Sequence, residues 1–170
     1  LLTTFVNPQL GLVVHGGLLI AILLHTALAK PLEQKFLLAL ALAPLIRLVS
    51  LSMPLLQFNY EYWYMVIGLP LLIASATVYR LNGYRPAHVG LVLGRKLALQ
   101  LLVAVAGLGL GFMEYIILRP EPLAETFSLQ SIWLPALILL VFTGFLEELI
   151  FRGLMQRAAA EQLMKFGPIY

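Results

Sequence analysis

Five apolar runs of about 20 residues leave this chain few ways to fold: residues 10–29, 36–56, 62–79, 97–118 and 132 to about 157. An α-helix needs about 20 residues to cross the hydrocarbon of a bilayer, and each run meets that length. In lipid every backbone N–H and C=O must be satisfied internally, so only helices or a closed β-barrel can span. Ten-residue segments of alternating polarity, the mark of a barrel, are absent. The predicted fold is therefore all-α: a polytopic transmembrane helical bundle, five spanning helices in one domain over residues 1–170. Composition agrees, with 61% hydrophobic residues, 11% charged and a mean hydropathy of +0.94, outside the range of soluble globular domains.

The first run ends in Ala27-Leu28-Ala29, which looks like a signal-peptidase site. A signal peptide wants a basic leading region and a short apolar core, whereas here no charge precedes a long core, so a spanning helix is expected. The absence of an initiator Met suggests that the chain begins downstream of the true start. There is no cysteine, hence neither disulfide nor thiolate metal site.

Basic residues are retained on the cytoplasmic side of membranes. Lys30, Lys35, Arg80, Arg85, Arg95, Lys96, Arg157 and Lys165 fall on one side of the predicted bundle, and Arg119 on the other. The N-terminus is thus expected outside and the C-terminus in the cytoplasm, as for a multi-pass protein of a prokaryotic plasma membrane. Nucleic acid is not expected as a partner, because the cations lie on separate connections without an aromatic platform between them.

The basic cytoplasmic connection over 80–96 contains Gly83, Pro86, Gly90 and Gly94, which favours turns or an interfacial segment over a helix. Tyr60, Tyr62, Trp63 and Tyr64 suit the aromatic belt at a helix start, and Trp133 repeats that role. Gly107 and Gly111 have the GxxxG spacing that lets helices approach closely, and packing inside the same bundle is the favoured use of it.

Charge inside the last run is the strongest functional signal. The stretch "GFLEELIFRG", 144–153, carries Glu147, Glu148 and Arg152 into a spanning segment, at about 2.5–3.5 kcal/mol for each unpaired charge near mid-membrane. Residues four apart share a helix face, so Glu148 can pair with Arg152, whereas Glu147 points about 100° away with no cation a turn from it. An unpaired carboxylate in an apolar pocket holds its proton more tightly than in water, which suits an acid or base near neutral pH. Glu147 is the candidate general base, set against a network of all three charges that only fixes helix register.

Glu147-Glu148-Leu149-Ile150-Phe151-Arg152-Gly153 resembles the EExxxR motif of the CPBP family, the CAAX proteases and bacteriocin-processing enzymes that include the Ras-converting endoprotease. The resemblance implies a bundle of roughly eight helices in which the first glutamate activates water and the second supports the site with the arginine. It covers one motif in the C-terminal quarter of the chain. The family's FxxxH motif and its later His with an accompanying Asn are not present, and His15, His25 and His88 fit neither pattern. The chain is therefore expected to be the N-terminal portion of a longer protein, inactive by itself. The implied function is an intramembrane endopeptidase acting on prenylated CaaX-type or other membrane-delivered peptides. The alternatives are a non-catalytic scaffold or immunity protein of the same fold, or a transporter.

Arg47, eleven residues into the second predicted helix, also needs a partner. Counted along the predicted helices, Glu147 and Glu114 lie comparably offset from it in depth. Glu114 is favoured, since an ion pair would work against base chemistry at Glu147. His15 and His25 are ten residues apart and on different helix faces, so no metal or other cofactor is expected.

Overall fold

The computed structural model describes residues 8–53, 59, 62–92, 97–119 and 128–163. Their regular elements are all helical: α1 (Pro8–Leu28), α2 (Pro31–Ser52), α3 (Trp63–Leu81), α4 (Leu97–Leu118) and α5 (Leu129–Leu163), with a 3-10 turn at Pro86–Val89 after α3. All five helices are long and apolar enough to cross a membrane. The chain is a multi-pass, all-α membrane protein.

Two helices differ in extent from the hydropathy pattern, each for a local reason. Lys30 is extended (φ −67°, ψ 156°), as a residue before proline tends to be. Pro31 then opens α2 at the first helical position, where its missing N–H costs nothing, so the helix starts five residues before the apolar run. Pro44 cannot donate to Leu40, and the ladder of α2 breaks at Ala41 into Pro31–Leu40 and Leu42–Ser52. At the other end of the chain, α5 runs on through polar residues to Leu163 and reaches 35 residues, well beyond the roughly 20 a membrane requires.

The core joins α2, α3 and α5. Ala39, Leu42 and Val49 of α2 meet Leu71 and Val78 of α3 and Leu146, Ile150, Leu154 and Ala158 of α5. The buried hydroxyl of Ser75 bonds within its own helix: its Oγ donates to the Leu71 carbonyl at 2.7 Å, one turn back. α3 and α5 come close together at Gly68, where an added Cβ would lie 2.7 Å from Phe142 Cβ. No larger residue fits that crossing. α4, by contrast, has none of its spanning window buried, and Cβ atoms built at Gly107, Gly109 and Gly111 meet nothing within 4 Å. The expected use of Gly107 and Gly111 for packing inside the bundle is thereby corrected.

The connection after α3 folds back under the helix ends. Gly83 (φ 66°) and Gly90 (φ 77°) supply the two left-handed turns it needs. Buried Asn82, just before the first of these glycines, donates from Nδ2 to the Lys35 carbonyl at 3.1 Å, and Tyr84, just after it, donates its phenol to Glu161 Oε2 at 3.2 Å. Glu161 Oε1 in turn accepts from Arg157 Nε at 2.7 Å. Burial, and after it the negative charge of Glu161, pushes the Tyr84 phenol up to about 12. Over its described residues, up to 92, the connection thus consists of turns, as Gly83, Gly90 and Pro86 suggest, and it ties α2, α3 and α5 together at one end; Gly94 lies outside them. Tyr60, Arg95, Lys96 and Lys165 lie outside the described residues.

Candidate active site

α5 brings the motif residues to one face. Leu146, Leu149, Ile150, Gly153 and Leu154 are buried on its inner side, which leaves Glu147, Glu148, Phe151 and Arg152 exposed on the other. The helix is not uniformly α: Leu140–Phe145 and Glu148–Gln156 are wound as π-helix, with bonds to the fifth residue, a geometry frequent at functional sites. Gly153 stands where α5 meets the 3-10 turn. A Cβ there would lie 3.2 Å from both Cβ and the carbonyl oxygen of Val89, so the glycine lets the turn seat directly against the helix.

The predicted ion pair is present. Arg152 Nη1 lies 2.8 Å from Glu148 Oε2, one turn apart as expected. Its side chains are 75% and 58% exposed, so in this arrangement it orients two groups rather than holding helices together. Glu147 diverges from the pair and has no cation within 4 Å among the described residues. The enclosed apolar hollow expected around it is corrected: Glu147 is exposed and borders two open clefts.

The larger cleft, about 650 Å³, is shared by Glu147, Glu148 and Arg152 with apolar walls from Phe36, Phe151, Met155 and Leu163. A second, about 320 Å³, lies between α2, α3 and α5 and is lined by Glu147, Phe151, Arg47, Tyr64, Thr143 and Leu71 among others. Its α3 residues run from Tyr64 to Leu71, within the first half of that helix, and Arg47 stands in the second half of α2, so the cleft lies in the half of the bundle nearer the C-terminal end of α2. Arg47 therefore faces the Glu147 cleft, and Glu114, exposed on α4, forms no ion pair with it. The preference for Glu114 failed because the helix limits were misjudged. Arg47 is 16 residues after Pro31, and Glu147 16 before Leu163, so the two stand level.

None of the described histidines borders either Glu147 cleft. His25 Nε2 is 3.4 Å from Glu33 Oε1 where α1 and α2 meet. His15 is half-buried on α1. His88, exposed as its place in the connection suggests, accepts the Arg85 N–H at Nδ1 (3.3 Å) and shares a recess with Arg152, Gln156 and Arg157. That adjacency to the motif was invisible in sequence because the fold-back of the connection creates it. Thr143 was likewise missed, though a hydroxyl one turn before an intramembrane glutamate is a legible signal. No cluster of three or more histidine or acidic side chains capable of holding a metal occurs among the described residues.

Fold and site together define a multi-pass helical membrane protein with a charged cleft between α2, α3 and α5. No protein-family model, characterised protein or solved structure matches the chain.

Proposed function

We propose that the protein is an intramembrane endopeptidase in which Glu147 activates water. The division of labour between adjacent glutamates carries this reading: Glu148 is held by Arg152 at 2.8 Å, while Glu147 borders two clefts with no cation within 4 Å. In the reaction Glu147 takes a proton from water as its oxygen bonds to a peptide carbonyl carbon. The same carboxyl then gives that proton to the departing amine as the C–N bond breaks. The likeness of 147–153 to the EExxxR motif supports these roles and implies a histidine and an asparagine that the described residues do not supply. The larger cleft, polar at Glu147, Glu148 and Arg152 and apolar at Phe36 and Met155, suits an extended peptide or a lipidated tail. By the distribution of Lys and Arg it opens toward the cytoplasm, across a prokaryotic plasma membrane.

The test is cleavage of a farnesylated CaaX peptide by the full-length protein in liposomes, read by mass spectrometry of the products. Glu147→Gln is expected to reduce turnover by about 10²–10⁴-fold, the usual contribution of a general base, with an unchanged melting profile. Undiminished turnover in that variant refutes the assignment. Glu147-dependent solute or proton flux without hydrolysis would instead make the protein a transporter.

A further inference from the structure

Arg47 is a spanning-segment cation whose guanidinium has no partner among the described residues. Among the described residues it forms no ion pair within 4 Å and no side-chain hydrogen bond. A guanidinium presents five N–H donors and stays charged, and the hydrocarbon of a membrane satisfies none of them. Its side chain is exposed on α2 and borders the cleft of about 320 Å³ that Glu147 also lines. The same cleft is lined by Thr143, whose Oγ1 is buried without a hydrogen-bond partner. Four polar residues from three helices, Arg47 of α2, Tyr64 of α3 and Thr143 and Glu147 of α5, thus line one small space, walled otherwise by residues such as Ile46, Ile67 and Leu71.

The size of the cleft narrows what it can take. At about 320 Å³ it is at the small end of ligand sites, suited to a short stretch of peptide backbone rather than a folded segment. Arg47 and Glu147 stand farther apart than an ion pair, which leaves room between them for reacting atoms that must approach to about 3–3.5 Å. A base on one wall and a fixed cation on the other is an arrangement that separates proton removal from stabilisation of the oxygen that becomes negative.

We propose that Arg47 is a second catalytic residue of the Glu147 site, donating to the carbonyl oxygen of the scissile peptide and holding its charge as water adds. This rests on the endopeptidase reading. As Glu147 removes the water proton, the new C–O bond forms and the carbonyl π pair moves onto the oxygen beside Arg47. When the tetrahedral species collapses, that pair returns, the C–N bond breaks and the nitrogen takes the proton from Glu147.

The experiment compares the full-length protein with its R47Q, R47K and E147Q variants in liposomes, using a quenched fluorescent peptide that ends in a farnesylated CaaX sequence. R47Q is expected to lower kcat by about 10²–10³-fold, as loss of an oxyanion donor does, with KM little changed and part of the rate restored in R47K. Wild-type kcat in R47Q overturns the inference while leaving Glu147 as base. So does an R47Q profile displaced along the pH axis at full maximal rate, because Arg47 would then be only a counter-charge. If R47Q does not fold, R47K decides: a single point charge in place of the planar fork should still lower kcat at unchanged folded yield, and an unaltered kcat overturns the proposal. Because the chain has no cysteine, R47C can also be treated with an aminoethyl thiosulfonate, which restores a cation. Recovery of rate supports the role, and failure of the reagent to reach the thiol overturns it. An inactive wild type, or an active E147Q, would remove the endopeptidase reading and this inference with it.

Discussion

At the scale of single residues, two neighbours of like charge end in different surroundings. Glu148 and Arg152 meet at 2.8 Å while Glu147 faces open clefts; the pair and the divergence of Glu147 were legible from the spacing because one turn of helix separates the paired groups, whereas the open surroundings of Glu147 were not. Removing the cation should therefore act differently from removing the base: the exposed pair adds little stability, so Arg152→Gln is expected to lower activity by releasing Glu148 while the melting temperature in detergent stays close to wild type, and unchanged activity would refute its supporting role. Tyr84 allows a prediction in pH. Its phenol, 10.0 when unperturbed and about 12 in the fold, keeps its proton longer in the folded than in the unfolded chain. The associated stability is full below pH 10 and is lost as pH rises from 10 toward about 12. Alkaline unfolding should show that decline, and Tyr84→Phe should flatten it. No sequence pattern announces this network, since Tyr84 and Glu161 are 77 residues apart.

At the scale of elements, the five helices were readable from hydropathy alone, while their limits and packing were not. Pro31 extended α2 beyond its apolar run, and α5 continued through a polar segment fastened by Arg157, Glu161 and Tyr84. Those few residues of error were enough to pair Arg47 with the wrong helix. Glycines were equally hard to rank: Gly107 and Gly111 have the familiar spacing but touch nothing, whereas the isolated Gly68 makes the tightest helix contact. A Gly68→Leu change should separate α3 from α5 and cost about 1–3 kcal/mol, as overpacking does. Thermal unfolding would record that loss, and Phe142→Ala in the same chain should return part of it. Full additivity of the two changes would show that they do not meet.

At the scale of the whole molecule, the distribution of basic residues predicts a topology that single cysteines can test, since none is native. A cysteine at His88 should react with impermeant thiol reagents from the cytoplasmic side, and one at Ser128 from the outside; labelling from one common side would overturn the orientation. The wide winding of α5 has one more consequence. Its π-helical residues Glu148–Gln156 include Gly153, lodged against Val89, with Glu147 directly before them. Rewinding that stretch to the narrower α-helix, with Gly153 fixed, would swivel the carboxylate at 147 off the Arg47 side of the bundle. The helix thus holds its own slack beside the reacting group, and the foot of the bundle, where the turn is lodged, is the point from which that slack can be taken up.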